Sequence, residues 1–387
     1  MDSHPYPIAR IGIIGGGQLG RMTVMAAKRL GFHCIVLDPF KGSPAGQVSM
    51  RCIVGEYHDA DKLKELVQAS TVTTFEIEDI DVRPLIPLQA QGHAIYPSPK
   101  LLATVQDKLT QKQALRKAGI PTSEFIACDN PDAPDAAETF RQFGYPLVQK
   151  ARRGGYDGRG VAILRGVEDF GNRLKTPSLL ERYVENEKEL AVMVARGRDG
   201  HTQCYPVVEM TFQQTNTLDM LLAPARVRDD IAEQARDIAR GTVEALGGVG
   251  VFGVELFLTH KGEVLVNEIA PRTHNSGHYT LEACVTDQFE QHLRAVTGLP
   301  LGSTRQMCPA VMINLLGEPG YRGTPIIKGL EAALAIPGVC VHIYGKETTR
   351  PHRKMGHVTV LADELEAARA KAARVKEMIR ITGSELA

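Results

Sequence analysis

The stretch Val251–His278, VFGVELFLTHKGEVLVNEIAPRTHNSGH, decides the fold of this chain. Two apolar runs, Val251–Leu258 and Glu263–Ile269, flank Lys261-Gly262, a pair suited to a tight turn that needs positive φ. A two-residue turn there pairs His260 with Glu263, and counting outward sets Glu255 opposite Glu268. Two carboxylates facing each other on apolar strands repel, and a divalent cation removes the conflict. A few hard oxygen ligands, with phosphates completing the shell, describe a magnesium–nucleotide site. Asn267 adds an oxygen ligand or a donor beside Glu268. A different turn would shift the register and turn one carboxylate to solvent. Directly after the hairpin, Arg272, His274 and Asn275 crowd a loop whose composition can stabilise an anionic intermediate. A solvated polar loop is the plain alternative. His274 and His278 are not read as a zinc pair, because the loop has no helical character.

Upstream, Tyr145–Lys150 reads as a strand ending in a lysine, followed at once by ARRGGYDGRG. That loop is too rich in glycine to be rigid and too basic to be indifferent to anions. A lysine at a strand end beside a mobile glycine loop can hold and cover a nucleoside triphosphate. No GKS or GKT follows, so this is not a Walker loop, and a flexible surface hairpin is the simpler alternative.

The N-terminal hundred residues alternate strand and helix: Ile11–Ile14, the helix Leu19–Leu30, His33–Asp38, the helix Ala60–Ala69 and Thr71–Phe75. That order predicts a parallel sheet. Gly15, Gly17 and Gly20 of IGIIGGGQLGRM form a GxGxxG pattern with Asp38 further on, which offers a dinucleotide site, a general phosphate cradle at a helix start, or simply a tight, closely packed strand-to-helix turn. Tyr96-Pro97-Ser98-Pro99 marks a boundary, and one long helix is predicted over Lys100–Ala118. Closely spaced strands then predict antiparallel pairing: Tyr145–Lys150, Val161–Leu164, Ser178–Val184, Leu190–Ala195 and Tyr205–Glu209. A helix over Arg226–Leu246 precedes the hairpin, and short strands with a last helix, Glu364–Arg380, predict a small α+β unit from about Gly302 onward. There, Lys346, Arg350, Arg353 and Lys354 form a basic cluster that could hold a phosphorylated substrate or simply a solvated face.

Composition narrows the class. The 387 residues carry a formal net charge of +0, which argues against a broad nucleic-acid or membrane footprint but not against a local basic pocket. The cysteines are scattered without ligand spacing and read as reduced thiols of a cytoplasmic protein. The start, MDSHPYPIAR, has no apolar core of a signal peptide, and no apolar run is long enough to span a membrane.

Seven motifs in order, GGGQLGRM, TFEIEDI, QDKLTQK, GGYDGRGV, LLERYV, VNEIAPRTHNSGH and RKMGH, resemble the N5-carboxyaminoimidazole ribonucleotide synthetase family of the ATP-grasp superfamily over nearly the whole chain. The resemblance implies an α/β and α+β architecture in three parts: a Rossmann-like pre-ATP-grasp domain (1–100), a central ATP-grasp region (101–302) and a small C-terminal domain (303–387). It implies a homodimeric ligase of purine biosynthesis. That ligase makes N5-carboxyaminoimidazole ribonucleotide from ATP, bicarbonate and 5-aminoimidazole ribonucleotide, with Mg²⁺, through carboxyphosphate.

Carried over position by position, Lys108 and Lys150 contact ATP phosphates, and the loop Gly155, Tyr156, Asp157, Gly158, Arg159, Gly160 and Val161 closes over them. The run Glu181, Arg182, Tyr183 and Val184 meets the adenine, with Glu181 accepting from its amine and the Val184 backbone completing the contact. Glu189 binds the ribose, and Glu255 and Glu268, with Asn267 beside them, hold the metal. Arg272, His274 and Asn275 match the bicarbonate and carboxyphosphate region. Gln18, Leu19, Glu76, Tyr156, Asp157, Arg159, Lys346 and Arg353 match positions associated with the ribonucleotide. Two departures stand out. Met210-Thr211-Phe212-Gln213 holds no histidine where many members have one near the nucleotide. Lys108 stands where arginine is frequent, keeping the charge without the forked geometry. Two other readings compete. Another ATP-grasp ligase, such as a formate-dependent glycinamide ribonucleotide transformylase, would share the ATP site and change the acid. A dinucleotide-dependent oxidoreductase or Rossmann binding module would explain the opening glycine loop and nothing beyond Lys150.

Overall fold

The computed structural model describes residues 9–155, 160–212 and 218–385. Four strands near the N-terminus, β1 (Arg10–Ile14), β2 (His33–Asp38), β3 (Arg51–Val54) and β4 (Val72–Phe75), form a parallel sheet in the order β3-β2-β1-β4. The centres of β1, β2 and β4 are buried because both faces of the sheet are covered, while the edge strand β3 is largely exposed. Ile11, Ile13 and Val36 pack with Leu19, Met22 and Phe289 on one side, while Ile14, Ile35 and Leu37 pack with Leu63, Leu66 and Leu85 on the other.

The long helix predicted over Lys100–Ala118 is two helices, Pro99–Gln106 and Lys108–Lys117. Asp107 causes the break. Its backbone is extended, and its Oδ1 accepts from the amides of Leu109 (3.1 Å) and Thr110 (3.2 Å), so it caps a new helix instead of continuing the old one. Lys108 therefore stands in the first position of a helix.

A second, antiparallel sheet runs β5-β8-β6-β7 from β5 (Phe125–Cys128), β6 (Leu147–Ala151), β7 (Val161–Leu164) and β8 (Ser178–Arg182). The central layer draws on β9 (Asn186–Arg196), β10 (Thr202–Cys204), β11 (Val208–Phe212), β12 (Leu218–Ala223), β13 (Gly250–Thr259) and β14 (Val264–Ala270). The remaining strands are β15 (Ala310–Leu316), β16 (Tyr321–Lys328), β17 (Val339–Ile343), β18 (Lys354–Leu361) and β19 (Arg380–Glu385). The central order is β14-β13-β9-β11-β12-β15-β18-β17, with β10 on β9, while β16 and β19 pair separately. The C-terminal strands thus continue the central layer through β12 and β15, where Leu222 faces Val311. The helix Asp229–Ala245 covers one face of β9, β13 and β14 with Ile231, Ala235, Ala239 and Val243.

The β13–β14 hairpin reaches the predicted facing of Glu255 and Glu268 by an unpredicted route. The turn is longer than two residues, with the Thr259 amide donating to the Glu263 carbonyl (2.9 Å), so Leu258 pairs with Val264. A β-bulge between Glu255 and Leu256 restores the register, leaving both Asn267 and Glu268 against Glu255. A bulge re-aims side chains that regular alternation would send to opposite faces. Here it brings Asn267 and Glu268 to the same cleft.

Candidate active site

The cleft lies where the β5-β8-β6-β7 sheet meets that hairpin, joined by a bridge between Thr122 and Val266. Lys108 and Lys112 are one helical turn apart, on one face. β6 supplies Lys150, β8 supplies Glu181, and β14 supplies Asn267 and Glu268. With Gln111 these side chains line a single pocket. Lys108 Nζ lies 2.7 Å from Glu268 Oε1. Lys150 Nζ donates to Asn267 Oδ1 at 2.9 Å and lies 3.2 Å from Glu181 Oε1. Lys112 Nζ is 3.2 Å from Glu181 Oε2 and donates to Ser123 Oγ at 3.1 Å.

Charge in the cleft is set by burial working against pairing. Burial pushes the Glu181 carboxyl up, yet Lys150 and Lys112 outweigh it and hold the group down at about 2. Burial draws the Lys112 ammonium down to about 8 against the pull of Glu181. The facing carboxylates diverge. Burial and the neighbouring charges of Glu268 and Glu189 push Glu255 up to about 7. Burial acts on Glu268 too, but the Lys108 ammonium wins and holds it below the usual carboxylate range. Burial likewise pushes Glu189 up to about 7, with Lys150 opposing. A carboxylate driven toward its neutral form by burial and by its acidic neighbours is the strain that a divalent cation would relieve. Among the described residues no group of three or more His, Cys, Asp or Glu is placed to hold a metal. A cation between Glu255 and Glu268 would therefore complete its shell with phosphate, Asn267 or water.

The glycine-rich loop leaves β6 and enters β7, framed by the Ala151 amide on the Gly160 carbonyl (2.8 Å) and by Lys150 facing Val161. Gly155 and Val161 flank its tip, while Tyr156, Asp157, Gly158 and Arg159 lie outside the described residues. At the end of β8 the Arg182 side chain turns over the Phe143 ring (4.9 Å) and toward Glu124 (3.4 Å), leaving Tyr183 and Val184, both half-buried, to continue the chain. At the position of the missing histidine, Phe212 ends β11 half-buried, and Gln213 lies outside the described residues.

Beyond the hairpin, Arg272 Nη2 pairs with Glu78 Oε1 at 2.8 Å. His274 Nδ1 is 2.8 Å from Ser276 Oγ, and its Nε2 is 3.5 Å from Glu255 Oε1. A Cβ on Gly253 would stand 2.7 Å from His274 Cβ, so only glycine lets that ring pack on β13. The side-chain amides of Asn275 and Asn314 exchange two hydrogen bonds, at 3.0 and 2.9 Å.

The N-terminal glycine loop does something other than cradle a phosphate. The Gly16 amide donates to Asp38 Oδ2 (2.8 Å), the Gly20 amide to Glu76 Oε2 (2.7 Å) and the Gly17 amide to Glu76 Oε1. The protein's own carboxylates hold the donors that a phosphate would need. Gln18 is half-buried and Leu19 buried at this helix start. The Gln47 side chain, on the segment after β2, donates to the Gly345 carbonyl at 2.7 Å, which sets the start of the C-terminal basic cluster beside this region. Lys346 Nζ donates to the Lys354 carbonyl (2.7 Å), and Arg353 Nη1 to the Thr348 carbonyl and hydroxyl (both 2.7 Å).

Three adjoining family models match the chain: a ribonucleotide synthetase preATP-grasp domain (8–106), an ATP-grasp domain (113–289) and a phosphoribosylaminoimidazole carboxylase C-terminal domain (310–371). The N5-carboxyaminoimidazole ribonucleotide synthase of Synechococcus elongatus is 43% identical over 361 residues, covering 92% of this chain and 90% of that protein. The chain belongs to the N5-carboxyaminoimidazole ribonucleotide synthetase family. The crystal structure of the Thermotoga maritima synthetase is 52% identical, with a TM-score of 0.90 over 97% of this chain and 100% of that one. An Aspergillus clavatus synthase solved with ADP and 5-aminoimidazole ribonucleotide is 35% identical, with a TM-score of 0.88 over 95% of this chain and 98% of that one. The chain spans 65–67% of the length of two fungal phosphoribosylaminoimidazole carboxylases that it also matches. As a synthetase of this family it is an ATP-grasp ligase of purine biosynthesis, and the oxidoreductase reading of the glycine loop falls away. No described helix is long and apolar enough to cross a membrane, and the cysteines are free thiols.

Sequence reasoning named Lys108 and passed over Lys112, although their spacing on one helix face is a readable signal. It also passed over Glu78 and Asn314, whose partners Arg272 and Asn275 are distant in sequence and leave no local trace.

Proposed function

We propose that this chain carboxylates 5-aminoimidazole ribonucleotide with bicarbonate at the expense of ATP. A bicarbonate oxygen attacks the γ-phosphorus and ADP leaves. Carboxyphosphate, or CO₂ released from it, is then captured by the exocyclic amine as phosphate departs. The observation that carries this reading is the facing pair Glu255 and Glu268, with Lys108 and Lys150 set beside it. The Aspergillus clavatus relative, solved with ADP and this ribonucleotide, supports the choice of substrate.

In this reading Lys108 and Lys150 release Glu268 and Glu181 to take up phosphate oxygens. Glu255 and Glu268, with Asn267, would hold Mg²⁺, which supplies neutralising charge to the phosphates when bound. Glu181 accepts from the adenine amine, the Val184 backbone completes that contact, and Glu189 holds the ribose. The loop 155–161 closes over the phosphates and keeps water from the labile intermediate. Arg272, His274 and Asn275 orient bicarbonate and stabilise the charge that develops on it. Gln18, Leu19, Glu76, Tyr156, Asp157, Arg159, Lys346 and Arg353 bind the ribonucleotide. The functional units divide near residues 100 and 302, and the enzyme works as a cytoplasmic homodimer, a state that sedimentation would test.

The decisive assay follows phosphate release. Full coupling should need both bicarbonate and 5-aminoimidazole ribonucleotide. Formate supporting the same release in place of bicarbonate would point instead to a transformylase-type ATP-grasp ligase.

A further inference from the structure

Lys112 has no task in the reaction above. It is a buried amine in the cleft, paired with a carboxylate and with 3% of its side chain exposed. Its ammonium donates to the Ser123 hydroxyl (3.1 Å), the Val266 carbonyl (3.3 Å) and the Thr122 hydroxyl, and pairs with Glu181 Oε2 at 3.2 Å. These acceptors are themselves tied down. Ser123 Oγ donates to Glu181 Oε2 at 2.7 Å, and Thr122 Oγ1 to the Val266 carbonyl at 2.8 Å. Lys112 is thus built into the junction between the small sheet and the hairpin.

Lys150 shares the same carboxylate but is differently placed. Its other partner is Asn267, at the phosphate side of the cleft. A triphosphate that draws Lys150 away leaves Glu181 with Lys112 and Ser123 alone. A buried carboxylate without a cation takes up a proton and then offers a donor as well as an acceptor. With a cation fixed against it, the carboxylate stays ionised and can only accept. An acceptor at that point matches the amine of a 6-aminopurine and repels the carbonyl oxygen that a 6-oxopurine carries at the same place.

We propose that Lys112 is a positioning residue for base selection: it keeps Glu181 ionised and aimed, so that the cleft takes 6-aminopurine over 6-oxopurine triphosphates. The proposal rests on the reading that Glu181 meets the base.

The test compares kcat/KM for ATP and ITP in the wild type, Lys112→Met, Lys112→Arg, Glu181→Gln and the double variant Lys112→Met/Glu181→Gln. Lys112→Met should lower the ATP preference by about tenfold or more, the range expected for a hydrogen bond to a charged group. The loss should lie in KM for the nucleotide, with KM for bicarbonate and ribonucleotide unchanged. Lys112→Arg should keep most of the preference. The double variant should lose no more than Glu181→Gln alone, because the lysine acts through that carboxylate. It also removes the carboxylate whose pairing the single variant weakens, so it stays informative if the single variant folds poorly. An unchanged preference in Lys112→Met, or a full additional loss in the double variant, overturns the role of Lys112. If Glu181→Gln itself keeps wild-type ATP affinity and preference, the fault lies one step earlier, in placing Glu181 at the base, and both readings fall.

Discussion

At the start of the Gln18–Arg29 helix, the amides of Gly16, Gly17 and Gly20 meet the carboxylates of Asp38 and Glu76; in the ATP-grasp cleft, Lys108 and Lys150 meet Glu268, Glu181 and Asn267. Both places present positive charge that an anion could use, and in both the protein answers with its own acids. The first arrangement is fixed and packed, with backbone amides on carboxylates brought in from the neighbouring strands. A Cβ on Gly17 would lie 2.6 Å from Glu76 Oε1, and the helix dipole is neutralised without any ligand. The second is exchangeable, because long lysine side chains can move from a carboxylate to a phosphate while the freed carboxylates turn to a metal. A glycine pattern that offers amides is therefore a weak sign of phosphate binding until one asks where those amides already go.

The sharpest way to break this comparison is Glu268→Gln. It removes the partner of Lys108 and one of the two facing acids at once. We expect kcat for ribonucleotide-coupled ATP turnover to fall about 10²–10³-fold, the scale of losing one preorganised charge contact in a transition state. The Mg²⁺ requirement should rise with it. Wild-type turnover by this variant at ordinary Mg²⁺, measured by initial rates, would remove Glu268 from the metal site and the exchange with it.

A smaller effect is expected from Glu76→Ala, which probes the packed arrangement. Two amides, of Gly17 and Gly20, lose their acceptor at a helix start. Leaving buried donors unsatisfied costs about 1–3 kcal/mol, which urea unfolding would read directly. Inorganic phosphate should then stabilise the variant more than the wild type, since the loop amides are free only in the variant. Equal stability of the two proteins would mean that Glu76 does not neutralise the helix, and the contrast between the two regions would collapse.

Much of this was legible where the signal is local. The alternation of β-branched runs with amphipathic stretches marks β1, β2 and β4, because period and burial coincide there. The facing of Glu255 and Glu268 was legible too, although the turn and the bulge each depart by one residue and cancel. A count along a sequence cannot see a bulge. The break at Asp107 was hidden by an apolar spacing that runs through it; only the capping bonds of its carboxylate reveal it. β16 and β19 were missed because their ribbon is half exposed, and β16 shows no apolar run. In the site, residue roles came from resemblance, while the pairings came from geometry. Arg272 with Glu78 joins segments that share no local pattern.

The last expectation concerns how the two regions meet. If side-chain cations rather than loop amides hold the ribonucleotide phosphate, its binding must follow their titration. Burial draws the Lys346 ammonium down to about 8, and Arg353 adds to the shift while Glu76 opposes it. Lys346 is then charged below that pH and loses its charge above it, so KM for the ribonucleotide should rise as pH climbs through about 8. KM for ATP does not depend on this group. The same depressed pKa has a consequence for folding with a defined sign. Between about 8 and the ordinary lysine value near 10.4 the unfolded chain holds more protons than the folded one, so this group makes stability rise with pH across that window. Lys346→Arg keeps a cation at every pH of the assay and should flatten the rise in KM by a few-fold, the smallest of the three effects. A rise that persists unchanged in Lys346→Arg would assign the phosphate to another group. The glycine-loop amides, which do not titrate, would still be excluded as its source.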